Sequence, residues 1–364
     1  MKIGTKFLPL ILTALAGLDL QCSLIAQGSL TPPGAPAPTM KTLSQVEPRI
    51  PISSLPFNID TSGSYYVTSN LVGTVNSDGI YIWANDVTVD LNGFALIGPT
   101  NGVFEYGING AGSTNVVIMH GSIRGWTRTG LNGVSFTHCR VLDVAASSNG
   151  LTGIVTGNSS LVERCSADHN GLTVANQKGI SVGSGCTVRD CNISGQDGTG
   201  SQGIVANGNS LIQHCVVQNN SANNGTGINP NGVSVIEDCV VVNNQGGTNY
   251  TGIISSACRV RNCLVTANSG DGIRAFGASS ILDNNCSNNG DNGINAGNGG
   301  SRIEGNHLMN NGGRGIALST ANSCVVVRNT ASANTGGDYP AAGSNIGPIQ
   351  SPSTATSPWA NFSF

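Results

Sequence analysis

Charged side chains are scarce in this chain. Only 10% of its 364 residues are Asp, Glu, Lys or Arg, the formal net charge is −3, and no basic stripe or acidic tail stands out. Nucleic acid and anionic membrane surfaces are therefore excluded as expected partners. Apolar runs that could span a bilayer are missing too. The run FLPLILTALAGL near the N-terminus holds about a dozen residues, against the roughly 20 required, so no transmembrane segment is expected. Nor do any two cysteines form a Cys-x-x-Cys pair. A tetrahedral metal site is accordingly not expected, no cofactor is implied, and calcium is left without a motif to hold it.

What is present falls into segments. Lys2 and Lys6 precede the apolar run, and the small-residue stretch at Ala26 to Gly28 offers a cleavage point, so residues 1–28 read as a secretory signal peptide. Gln21 before Cys22 speaks against a lipoprotein site; a retained N-terminal anchor is the alternative. Residues 29–62 carry prolines at 32, 33, 36, 38, 48, 51 and 56, which disfavour helix and central strand and predict an extended spacer.

From residue 63 the chain turns periodic. A Gly followed by Ile or Leu recurs at 79, 107, 130, 153, 179, 203, 227, 252, 272, 293 and 315, ten steps with a mean of about 24 residues, which is the mark of a solenoid. Within each repeat the apolar pieces are short, rich in Val and Ile, and separated by Gly, Asn and Ser, so they predict strands rather than helices. Three short strands per repeat, over about eleven repeats spanning 63–336, predict an all-β coil of stacked parallel turns. At about 4.8 Å per turn the rod is on the order of 50 Å long.

Aligned on the repeat, Cys139, Cys165, Cys191, Cys215, Cys239, Cys263 and Cys286 fall into one expected column. Stacked neighbours pointing the same way are poorly placed for disulfides, so free, buried thiols packing as small apolar groups are expected. A bridge within Cys186/Cys191 or within Cys258/Cys263 is the open alternative. Five residues further on, Asn170, Asn220, Asn244 and Asn268, with Asn289 and Asn310 nearby, predict a second column of stacked amides at a corner that demands left-handed backbone.

These repeats, with DVTVDLNGFALIG at 86–98 and GSYYVTSNL at 63–71, resemble the secreted bacterial right-handed parallel β-helix proteins of the pectate-lyase-like superfamily, over about residues 55–335. The right-handed sense of the predicted coil comes from that resemblance and from the usual hand of parallel crossovers. The resemblance implies a secreted or cell-surface protein, extracellular or periplasmic. Relatives of this kind are often polysaccharide lyases, hydrolases or epimerases, and others are adhesive proteins without chemistry. It transfers no active site: Asn-Thr-Asp, Asp-Asp, Gly-His-Gly and Arg-x-Pro-x-x-Arg are all absent, and Asp168-His169 is only a faint echo.

Polar and aromatic side chains are densest between residues 104 and 178. Eliminating a uronate needs a cation at its carboxylate and a base for the proton beside it; hydrolysis needs two carboxylates about 5 to 9 Å apart. His120, Arg124, His138, Arg140 and Asp168 are the catalytic candidates, with His120, His138 and Arg164 expected in one column. Tyr106, Trp126, Arg128, Arg164 and His169 are candidates for gripping an acidic sugar, since aromatics stack on sugar faces and Arg holds carboxylates. Asp143, Glu163 and Lys178 share the interval. The alternative is a solvated turn position, because the same column runs on through Asp190, His214, Asp238 and Asn262.

The repeat is lost after residue 336, and 337–364, ending in Trp359, Phe362 and Phe364, reads as a tail that covers the open end of the coil. Two functions follow. One is a secreted protein, expected to be a monomer, that binds an extracellular acidic polysaccharide or cell-surface glycan and, in its sharper form, cleaves it by elimination. The other is a noncatalytic structural or adhesive β-helix.

Overall fold

In a computed structural model, the described residues are 47–364 apart from 172–174, 222–224, 247–249, 298, 320–323 and 341–344. They form strands and turns without a helix. The strands wind into a right-handed parallel coil with three faces. Face 1 is a sheet of twelve parallel strands, from Phe57–Ile59 through Ile154–Thr156 to Ile316–Leu318. Faces 2 and 3 are joined by hydrogen bonding into one sheet of 25 strands; Leu161–Glu163 lies on face 2 and Ser166–Asp168 on face 3. Near the N-terminal end, Val116–Arg124 and Arg140–Ser147 run through the corner and serve both faces.

The recurrent Gly-Ile pair is explained by space as well as by burial. Each Ile or Leu of the pair, from Ile80 to Ile316, points inward and is fully buried, worth about 1.5–3 kcal/mol apiece. The glycine before it lies against the backbone of the next turn. A Cβ on Gly227 would stand 2.5 Å from the Gly252 carbonyl oxygen, and the same collision recurs along the column.

Three corners turn each coil, and at most of them a residue in the left-handed region is followed by a buried one. Between faces 1 and 2 the buried column reads Cys139, Ser160, Cys186, Ser210, Ser234, Cys258, Ser279, Ser301, Cys324. Between faces 2 and 3 it begins with Cys165, Cys191, Cys215, Cys239 and Cys263. It then changes to Asn284, Asn306, Asn329 and Asn361, each hydrogen-bonded to the turn before: the Cys263 amide donates to Asn284 Oδ1 at 3.0 Å. After face 3 come Asn149, Asn170, Gln196, Asn220, Asn244, Asn268, Asn289, Asn311 and Asn334, linked amide to amide, as where Asn244 Nδ2 donates to Asn268 Oδ1 at 2.9 Å.

Several expectations are corrected. The coil begins at Ile50–Ile52, which pairs with Tyr65–Val67, so part of the predicted spacer is coil. The predicted signal peptide and the spacer up to residue 46 lie outside the described residues. Cys139 is level with Ser160 rather than Cys165, and Cys286 stands inside a strand level with Val265. Asn311 carries the amide column, while Asn310 is the left-handed residue before it (φ 53°). The reason is turn length, which varies from about 20 residues (Ile253 to Ile273) to about 28 (Ile80 to Ile108). The ten described cysteines are unbridged and buried, so neither five-residue pair is a disulfide; its members belong to different corners. The tail adds Asn361–Ser363 as a parallel strand on Thr330–Ser332.

Candidate functional site

The five catalytic candidates do not converge as a set; only Arg124 and Asp168 share a column. His120, at φ 58°, occupies the corner between faces 2 and 3, level with Asp143 and, one turn on, Arg164. Arg164 donates to both Asp143 oxygens at 2.8 Å and also pairs with Glu163, which takes Arg189 at 3.1 Å. The Arg164 hydrogen bonds hold the Asp143 carboxyl below its usual range. Both charges are thereby committed within the protein. His120 itself lies 3.3 Å from Asp90 and 4.0 Å from Asp143.

Arg124 and Asp168 share one outward column of face 3, two turns apart with Ser147 between them. Burial would raise the Asp168 carboxyl, but hydrogen bonds from Ser194 (2.5 Å) and His169 (2.9 Å) leave it lowered. The same contact raises His169. His138 (φ 54°) turns the corner between faces 1 and 2, and Arg140 begins face 2 beside Leu161. His138 is therefore not in the column of His120 and Arg164, because it precedes the other corner. Trp126 is 1% exposed. Its ring nitrogen donates to the Leu96 carbonyl (3.2 Å) and its amide to Asn149 Oδ1 (3.1 Å), so it heads the buried amide column and presents no face to a ligand.

Tyr106 and Arg128 do come together, on the leading edge of face 1. The Arg128 guanidinium carbon lies 5.1 Å from the ring centroids of both Phe104 and Tyr106, and Nη1 donates to the Tyr106 hydroxyl at 2.7 Å. Among the described residues no carboxylate pairs with Arg128. Glu105 builds this arrangement. It is fully buried, accepts from the backbone of Asn76 (2.6 Å) and Val103 (3.0 Å) and from the Thr127 hydroxyl (2.6 Å), and its carbonyl takes the Arg128 amide (3.0 Å). Burial pushes the Glu105 carboxyl up, and these donors outweigh it, leaving it lowered and charged. The loop that carries Phe104, 67% exposed, is thus pinned to the next turn.

Side chains that sequence reasoning missed complete the patch. Asp78 accepts from the Tyr106 amide (2.9 Å) and from Asn109 Nδ2 (2.7 Å), and Asn132 Nδ2 donates to Asn109 Oδ1 (2.9 Å). Tyr81 and Trp83 stack with centroids 4.4 Å apart, Trp83 being 55% exposed. Their signal was the alternation in Gly79–Trp83, which turns every second side chain outward. The patch offers flat aromatic faces, amides that donate and accept, the Arg128 cation and, one turn earlier, the Asp78 carboxylate that its neighbours' N–H groups hold.

Two other features lie apart from it. A cavity of about 610 Å³ runs along the corner between faces 1 and 2, lined by Asn209, Leu211, Val233, Val235 and Arg259 among others; its floor is mainly aliphatic. Later on face 1, Asp271 is fully buried and accepts from Arg274, Asn292 and Asn295 at 2.7–3.2 Å. Asp291 beside it is raised by burial and by the Asp271 charge.

A family model described as "Right handed beta helix region" matches residues 251–349. No curated protein matches the sequence significantly. Among solved structures, the Dettilon tailspike protein is similar at a TM-score of 0.54 and 14% identity, over 76% of this chain and 62% of that one. The chain thus spans less than two thirds of that protein's length. The A-module of an Azotobacter vinelandii mannuronan C-5 epimerase scores 0.48 at 15% identity, over 81% and 89%. A pectate lyase, Pel9A, scores 0.40 at 13%, over 77% and 72%. The fold is a right-handed parallel β-helix.

Proposed function

We propose that this is an extracellular β-helix protein that binds an acidic polysaccharide across the early turns of face 1. The observation that carries the reading is Arg128, a cation with no carboxylate partner among the described residues, held against Phe104 and Tyr106 beside the Tyr81/Trp83 pair. Aromatic faces accept the apolar faces of sugar rings, Asn109 and Asn132 suit hydroxyls, and a guanidinium grips a carboxylate in two places. The resemblance to pectate-lyase-like proteins, many of which act on polysaccharides, points the same way.

Binding is favoured over cleavage because elimination needs cation and base at one substrate carbon. His120, Arg124, His138, Arg140 and Asp168 are distributed over two corners and two faces, and cannot act on one sugar together.

Calorimetric titration with acidic and neutral polysaccharides tests the reading, with ultraviolet absorbance of unsaturated uronate followed in parallel. Acidic chains should bind without an absorbance rise, and Arg128→Ala and Trp83→Ala should each weaken binding about tenfold, or about 1.4 kcal/mol. Binding that ignores both substitutions would overturn the site, and a steady rise in absorbance would restore the lyase reading.

A further inference from the structure

The spacing of cations on face 1 specifies the polysaccharide further, on the premise that the reading above holds. Registration of face 1 sets Leu131 level with Ile154 and Ile154 level with Ile180. Thr129, Thr152 and Lys178, each two residues before those positions, therefore share one column at the leading edge. Arg128 stands beside Thr129, two turns before Lys178. Neither cation has a carboxylate partner among the described residues. The turn between them presents buried Thr152 and half-buried Val155, without charge. The turns on either side are uncharged in that column as well: Tyr106 before Arg128, then Gln202, Thr226 and Thr251 after Lys178.

Successive turns rise about 4.8 Å, so the backbone positions that carry the two cations stand about 10 Å apart along the coil. A pyranose chain laid along the coil axis advances by about one ring per turn. Its rings then meet cation, neutral turn and cation in succession. We propose that the ligand is a polysaccharide in which carboxylate-bearing sugars alternate with neutral ones, lying parallel to the coil axis with successive carboxylates at Arg128 and Lys178. A chain acidic at every ring would press one carboxylate against Thr152 and Val155, where no cation replaces its lost water. An acidic side chain bounds the strip at its early end: Asp78 stands in the same column on the turn before Tyr106 and opposes an anionic chain there.

The test is calorimetric titration with oligosaccharides of equal length: a hyaluronan octasaccharide, in which uronate alternates with a neutral amino sugar, and an octagalacturonate, acidic at every ring. The alternating chain should bind about tenfold tighter, and Lys178→Gln should remove most of that preference while leaving the fold's far-ultraviolet spectrum unchanged. Val155→Lys, which adds a cation on the outward side of the vacant turn, should raise octagalacturonate affinity several-fold. Equal binding of the two chains, still sensitive to Arg128→Ala but not to Lys178→Gln, would overturn the alternation and leave the site standing. Failure of both chains to bind would overturn site and alternation together.

Discussion

Glu105 shows how a single residue sets the site. A carboxylate buried without a cation must be satisfied by donors, and here two backbone amides and the Thr127 hydroxyl do so while fixing the Phe104 loop. Because its pKa in the folded protein lies below the unfolded value, its contribution to stability is present above the unfolded value, about 4.3, and is lost as pH falls through the folded one. Glu105→Gln should therefore lower the thermal midpoint at neutral pH, and the two midpoints should converge in acid. A constant gap across the titration would assign the effect to packing instead of charge. Trp126 is the opposite lesson. Its residue type suggested a sugar platform, but its place in the chain puts it at the head of the buried amide column, and only the register between turns reveals that.

At the scale of strands and corners, the period, the strand type and the two kinds of column were legible, because every turn repeats the same demands: Gly to clear the next backbone, Ile to fill the core, and a small or amide side chain at the corner. The membership of Cys139 and Cys286 was not. The two flanking corners stand five residues apart, as Cys186 and Cys191 show, and a fixed stride of about 24 confuses them wherever a turn shortens. In the site, Tyr106 and Arg128 were found because they lie in a polar-rich interval. Tyr81 and Trp83 were missed because they precede it and read as ordinary strand. The buried thiols give a prediction of their own. Burial pushes Cys139 up to about 12 and raises Cys186, Cys258 and Cys286 as well, so these groups should resist alkylation. Mass spectrometry after iodoacetamide treatment should find the ten described cysteines unmodified in native protein and modified after denaturation; fast native labelling of Cys186 or Cys258 would show that the corner between faces 1 and 2 opens.

For the whole molecule, each turn touches mainly its neighbours, so damage should remain local. Gly227→Ala places a Cβ 2.5 Å from the Gly252 carbonyl and 2.6 Å from Val241 Cγ1. It should cost about 1–3 kcal/mol and speed amide exchange in the turns around residues 203–272, while both ends of the coil keep native rates; uniform acceleration would show that the rod melts as one unit. Local sameness also creates a difficulty, since turns built to one recipe can in principle stack on the wrong neighbour. The corner between faces 2 and 3 carries the remedy. Over six successive turns its left-handed residues run His120, Asp143, Arg164, Asp190, His214, Asp238, acid alternating with base, before Asn262 and Asp283 end the pattern. Over that stretch of the native winding every acid faces a base. Skip one turn and Asp143 meets Asp190, Arg164 meets His214, and Asp190 meets Asp238. The column works as a parity check on the order of winding, rejecting a chain that has lost count.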